Sequence, residues 1–226
     1  MQILAFDCAG AQCAAAIRVG NDTVAARRID SERGHAQLLM PLLIGLAGEA
    51  GIPFRDFDRF AVTTGPGSFT GIRVALAAAR GLALGTSRPV LGITIFDVLA
   101  ADATEAGIPA PRLLVAVESR RAECFLQLFD DQGHALGSPV MLAPEAICAW
   151  VGPGPLAIAG DAAARVVAAI PAAIDLGPPL YAANPATLAK LAAMRTPEGP
   201  PTPFYLRAPD AIPTAMRLAG KSQAPA

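Results

Sequence analysis

The chain is short of charge, of aromatic rings and of histidine, and each shortage closes off a class of function. Only 16% of its 226 residues are Asp, Glu, Lys or Arg, and the formal net charge is −1. A protein that grips nucleic acid alone presents a basic face, because phosphate contacts dominate such affinity. Arg27-Arg28 and Arg120-Arg121 are local pairs rather than a stripe, so any service to RNA is expected to run through another protein. The chain has two histidines, His35 and His134. A helical zinc pair based on His35 needs a second ligand at i+4, and Leu39 stands there, so no metal is expected. The four cysteines, Cys8, Cys13, Cys124 and Cys148, form no CxxC pair and read as free thiols in a reducing compartment. No apolar run approaches ~18 residues without Gly, Pro or charge, and no basic leader precedes an apolar stretch, so no membrane span or secretory signal is expected and the location reads as cytoplasmic.

What is present is a buryable core. Hydrophobic residues make up 53% of the chain, which excludes disorder as the default and suits one large domain or two small lobes. Ile3 to Asp7, Ala14 to Val19 and Thr23 to Asp30 read as a β-meander, with Gly20-Asn21-Asp22 as a tight turn. A helix is expected from His35 to Ala50, kinked at Pro41 and ended by Gly51. Arg59 to Thr64 is the next strand, followed by a glycine-rich turn and a helix from Thr70 to about Leu84. Pro89 to Ile93 is a short strand, and Thr94 caps a helix that stops before Gly107. The stretch 106–111 is the best linker, dividing an N-terminal lobe (1–106) from a C-terminal lobe (107–208) and a loose tail (209–226). In the second lobe strands are expected at Leu113 to Glu118, Glu123 to Phe129, Pro139 to Leu142 and Leu156 to Gly160. Helices are expected at Pro144 to Val151 and Asp161 to Ala169, so this lobe partly echoes the first.

The sharpest local feature is Gly65-Pro66-Gly67-Ser68-Phe69-Thr70-Gly71-Ile72-Arg73. It leaves a strand and opens a helix. Ser68 or Thr70 can cap that helix, and its N-terminus then favours an anion. The spacing fits neither a P-loop, which needs GKS or GKT, nor a GxGxxG turn, nor a GxSxG nucleophile elbow. Taken alone, the segment is also satisfied by a tight turn that merely joins strand to helix.

Two helices are unusually apolar. Leu38, Leu39, Leu42, Leu43 and Leu46 fill a broad face of the first, and Gly71, Ala75, Ala78 and Ala79 line the second at one-turn spacing. Large apolar faces of this kind serve as core or as a docking surface, and small residues let a second backbone approach. His35 would orient the start of the first helix. On the docking reading, a charge at Leu42 or Ala75 breaks a complex and leaves the fold intact.

These residues together carry a likeness that spans nearly the whole chain. Ile3-Leu-Ala-Phe-Asp7, the segment Arg33-Gly-His35 to Pro41, the run Gly65 to Arg73, Arg120-Arg121, Ala159-Gly-Asp161 and Phe204-Tyr-Leu-Arg207 resemble the signatures of the TsaB (YeaZ) family. The chain departs from the pattern at Asp7-Cys8-Ala9, where the family has Asp-Thr-Ser, and at Glu118-Ser119 before the arginines. The resemblance implies a two-lobed actin-like (ASKHA, ribonuclease H-like) α/β fold with a duplicated βββαβαβα core. It implies a non-catalytic subunit of the N6-L-threonylcarbamoyladenine synthase complex, docked through its first two helices on the catalytic subunit TsaD and working with the ATPase TsaE. TsaD would transfer threonylcarbamoyl to the adenosine 3′ of the anticodon in ANN-decoding tRNAs. The tRNA would be met only through the complex, nucleotide would bind only at the partner interface, and the chain would form a homodimer when TsaD is absent. The alternative is a stand-alone ASKHA-type kinase or ATPase. Asp7 and the glycine turn motivate it, and the loss of two hydroxyls at Cys8 and Ala9 counts against it. A peptidase lacks any HExxH motif or drawable triad.

Overall fold

The computed structural model describes residues 1–206. The expected tail, and Arg207 of the last signature, lie outside the described residues. The chain opens with the meander β1 (Gln2–Asp7), β2 (Gln12–Val19) and β3 (Asp22–Asp30). It continues through α1 (His35–Ala50), β4 (Arg59–Thr63), α2 (Phe69–Thr86), β5 (Val90–Ile93) and α3 (Ile95–Ala106). After the loop at 107–111 come β6 (Arg112–Glu118), β7 (Cys124–Asp130), β8 (Val140–Leu142), α4 (Pro144–Val151), β9 (Ala157–Ala159), α5 (Ala163–Ala169), β10 (Ile174–Asp175) and α6 (Pro185–Met194).

The first sheet has the order β3-β2-β1-β4-β5, and the second, read from its other edge, β8-β7-β6-β9-β10. In both, a meander supplies three antiparallel strands, a fourth strand adds in parallel to its first strand and a fifth adds in parallel to the fourth. The duplication invisible in the residues is explicit in the topology, and it is the expected two-lobed actin-like α/β architecture. Central strand β1 is buried on both faces, which is why it reads as an unbroken apolar run rather than an alternating one. Edge strand β3 is mostly exposed and carries Arg27, Arg28 and Asp30, charges that blunt an open edge.

Helix ends follow local chemistry. Gly51 closes α1 in the left-handed region at φ 67°, Ser68 accepts from the Gly71 amide at the start of α2, and Thr94 accepts from the Asp97 amide at the start of α3. Helix α1 runs unbroken through Pro41, which is exposed.

Helix α6 is not among the elements expected above, although Asn184-Pro185 is a cap followed by a first-turn proline: the Asn184 side chain accepts from the Ala186 amide. Despite its place after residue 107, α6 packs on β1 and β2 of the first sheet, and Leu188, Ala189 and Ala192 join the first lobe's core. The expected division at 106/107 is corrected to that extent. The chain returns to cover the first sheet, because α1 and α2 leave the other apolar face of β1 and β2 open.

Candidate functional site at the glycine turn and the outer helix face

The glycine turn is built for close backbone contact. Gly65 and Gly67 sit at φ 108° and 149°, a region closed to ordinary side chains. A Cβ at Gly67 would lie 2.3 Å from the Ala9 carbonyl oxygen, and one at Gly71 would lie 1.8 Å from that of Cys8. The Ser68 amide donates to the Ala9 carbonyl at 2.7 Å. The turn therefore clasps the β1–β2 connection and seats the start of α2 on it. Pro66 follows a cis peptide. Thr70 is exposed and caps nothing; Ser68 is the cap.

Asp7 is 1% exposed. Its Oδ1 accepts from the Ala9 amide at 2.9 Å and from the Thr63 hydroxyl, and its Oδ2 accepts from Gln12 Nε2 at 2.9 Å. Gln12 Nε2 also donates to the Ala183 carbonyl at 2.9 Å, tying the meander to the chain that leaves the second lobe. The cavity beside Asp7, which Gln12, Pro66, Asp161 and Tyr181 help to line, measures about 20 Å³. That holds one water and no nucleotide. Asp7 here is a satisfied structural acid, and the hydroxyls that would grip phosphate are replaced by the Cys8 thiol and the Ala9 methyl.

Arg73 does not join Asp7. Its guanidinium lies 3.6 Å from the centroid of the Phe69 ring and donates to the Tyr205 hydroxyl at 2.9 Å, while Phe69 and Tyr205 stack at 5.5 Å. The anion-site expectation gathered Asp7, Gly65, Pro66, Gly67, Ser68, Phe69, Thr70 and Arg73. The structure separates them into a backbone clasp, a buried acid and an exposed aromatic–arginine cluster.

The docking expectation is also corrected in its residues. His35, Leu39, Leu42, Leu43, Leu46, Gly71, Ala75 and Ala79 are all buried within the chain, and Leu38 and Ala78 are half-buried. That face is core, packed on the first sheet. His35 is the first residue of α1, after Gly34, and its Nε2 has no hydrogen-bond partner among the described residues.

The opposite faces are exposed and mostly small or apolar, with Gln37 and Glu49 on α1 and Arg73 and Arg80 on α2 beside them. On α1 they carry Pro41, Ile44, Gly45 and Gly48; on α2, Ala77, Gly81, Leu84 and Gly85. Both sets keep helical spacing, so each forms one stripe. The two helices are neighbours. Ile44 is 57% and Leu84 87% exposed. A Cβ at Gly45, Gly48, Gly81 or Gly85 would meet nothing within 4 Å. Of the two alternatives for the leucine face, core is the one realised; the exposed stripe is marked instead by glycine recurring inside two helices without a turn.

In the second lobe Arg165 bridges Glu118 at 2.6 Å and donates to the Ala122 carbonyl, holding the β6–β7 connection on which exposed Arg120 adopts φ 60°. Among the described residues no group of three or more His, Cys, Asp and Glu side chains is placed to hold a metal ion. No described helix is long and apolar enough to cross a membrane.

Comparison with known proteins places these features. The profile of the family described as TsaD, tRNA N6-adenosine threonylcarbamoyltransferase, matches residues 28–185. The chain is 33% identical over 152 residues to the Escherichia coli tRNA threonylcarbamoyladenosine biosynthesis protein TsaB, a match spanning 65% of this chain and 64% of that protein. It is 33% identical over 187 residues to the Mycobacterium tuberculosis protein Rv3421c, across 81% of this chain and 80% of that one. Among solved structures, YeaZ from Pseudomonas aeruginosa superposes with a TM-score of 0.72 at 27% identity, over 85% of this chain and 91% of that chain. A P. aeruginosa protein described as similar to peptidase YEAZ gives 0.76 at 28%, over 91% and 99%. With the glycine clasp, the duplicated sheets and these matches in agreement, the chain belongs to the TsaB (YeaZ) family, within the wider threonylcarbamoyltransferase group.

Proposed function

We propose that this chain is a non-catalytic partner subunit in tRNA threonylcarbamoyladenosine formation, supporting a TsaD-type catalytic subunit, with TsaE and tRNA engaged through the complex. The contact runs through the outer faces of α1 and α2. The observation that carries this is the four solvent-facing helical glycines. Glycine inside a helix costs about 1 kcal/mol relative to alanine, and none of Gly45, Gly48, Gly81 and Gly85 has a neighbour within the chain to explain it. A surface stripped of side chains and flanked by Ile44 and Leu84 suits close approach of another helix. The same face accounts for a homodimer when the catalytic subunit is absent.

The stand-alone kinase or ATPase reading finds less support. The cavity of about 20 Å³ beside Asp7 is too small for a nucleotide, and Asp7 spends both oxygens within the chain. Calorimetry with ATP and Mg²⁺ on the lone protein is expected to show no tight binding, and tight binding would favour the kinase.

The direct test mixes the purified chain with TsaD and measures association by light scattering. Ile44→Glu and Leu84→Glu are expected to leave the melting temperature unchanged and to weaken association by at least ~10-fold, as charges facing an apolar partner surface do. Unaltered association with both variants would sink the assignment of this face. Leu42→Glu and Ala75→Glu are unsuitable probes, because both positions are core and a buried unpaired charge unfolds the chain.

A further inference from the structure

The four cysteines are not equivalent. Cys124 is buried and Cys148 exposed, whereas Cys8 and Cys13 face each other with their sulfurs 3.0 Å apart. Register explains the pairing. Asp7 pairs with Ala14 across β1 and β2, so one step further sets Cys8 opposite Cys13. Residues directly opposite in an antiparallel pair have Cα atoms ~4.5–5.5 Å apart, inside the range that a disulfide spans. The turn between them, Ala9 to Gln12, is the element that the glycine turn clasps. Ser68 donates to Ala9, and Gly67 and Gly71 press on Ala9 and Cys8.

We propose that Cys8 and Cys13 are a redox pair, which a hydroperoxide oxidises to a disulfide across the β1–β2 hairpin, fixing the turn on which the start of α2 rests. Cys13 is the attacking sulfur. The hydrogen bond between the two sulfurs favours the ionised form of Cys13, while Cys8 keeps its proton because of that bond, burial and the Asp7 carboxylate. Cys13 sulfur attacks the terminal peroxide oxygen. An S–O bond forms, the O–O bond breaks, and the other oxygen leaves as alcohol or water, taking the proton that Cys13 released on ionising. The Cys8 sulfur then attacks Cys13, forming the S–S bond and expelling hydroxide, which leaves as water with the Cys8 proton. The two thiols lose two electrons to the peroxide. The sulfurs need to approach by only about 1 Å to reach the ~2.05 Å of a disulfide, so the strands keep their register. Both thiols are fully buried, and oxidation waits on local opening of the turn, whose Ala11 is exposed. The step is therefore slow in the folded chain, and a thiol reductant reverses it.

The test exposes the full chain to hydrogen peroxide, blocks free thiols with an alkylating agent under denaturing conditions, and reads the tryptic peptide Met1–Arg18, which holds both cysteines. The expected product is that peptide lighter by two hydrogens and unalkylated, reverting to a doubly alkylated form after dithiothreitol. Hydrogen exchange at the Ser68 and Gly71 amides is expected to slow by roughly 10-fold in the oxidised protein, since a clasped turn opens less often. Separate sulfinic acids on Cys8 and Cys13, or two free thiols after Cys148 is fully oxidised, would overturn the pair. Unchanged exchange at Ser68 and Gly71 would overturn the link to α2. Both readouts use the unmutated chain, so neither depends on a cysteine variant folding.

Discussion

The two lobes thread the same strand order, yet they hold the junction between strand and helix in different ways. In the first, Gly65, Gly67 and Gly71 bring the chain against Cys8 and Ala9, and the 18-residue α2 grows from that seat. The second does the same work with a single glycine. Gly160, at φ 104°, would place a Cβ 2.0 Å from the Ala116 carbonyl oxygen, and the 7-residue α5 follows. The first sheet is also covered from its far side by α6 and by the segment after it. Arg59 donates to the Ala192 and Arg195 carbonyls, Arg80 to the Pro201 carbonyl, and the Phe204 amide to the Thr64 carbonyl. The second sheet ends in strands of three and two residues. One topology has been kept twice, with the long helices and the exposed glycine stripes on the better-supported copy. The docking face we propose needs a rigid platform behind it, and the first lobe supplies one.

The comparison can be broken at the glycines. Gly71→Ala and Gly160→Ala are each expected to lose ~3 kcal/mol or more, because the new methyl meets a backbone carbonyl that cannot step aside; urea unfolding measures both. If Gly160→Ala proves mild while Gly71→Ala unfolds the chain, the second junction is not the counterpart of the first. Arg165→Ala sharpens the contrast. The bridge to Glu118 is about a third exposed, so solvent screening limits the loss to ~1 kcal/mol, confined to the second lobe and visible as faster hydrogen exchange in β6 and β7.

A further effect lies where α3 meets the start of α6. Asp102 on α3 accepts from the Asn184 amide at the start of α6, and burial pushes its carboxyl up to about 6. A raised acid binds more protons folded than unfolded between about pH 4 and 6, so its contribution to stability falls as pH rises through that window. Asp102→Asn should therefore raise the melting temperature by a few degrees at pH 7 and leave it nearly unchanged at pH 4. An equal shift at both pH values would show that the charge is not responsible.

Much of the fold was legible because its signals are local. Helices α1 and α4 begin and end where His35, Gly51, Pro144 and Val151 indicated, and Thr94 caps α3 as its position suggested. Helix α6 escaped because it is short and its apolar residues are mostly alanine, a weak periodic signal, although Asn184-Pro185 marked its start. The candidate site was legible in place but not in face. An apolar stripe at helical spacing carries the same pattern whether it meets its own sheet or a partner, and α1 and α2 each have two such stripes. The bulky one went inward.

The sequence by itself determined the strand and helix order up to α5, the glycine clasp, the poverty of metal ligands and the family to which the chain belongs, since each depends on residue type and spacing over short stretches. Tertiary structure alone decided that Asp7 is a satisfied buried acid, that Arg73 lies against the Phe69 ring and bonds the Tyr205 hydroxyl instead of joining an anion site, and that on α1 the leucines turn inward while glycines face outward. Those outcomes depend on which surfaces distant segments cover, and α6, arriving from beyond residue 180, is what completes the first lobe.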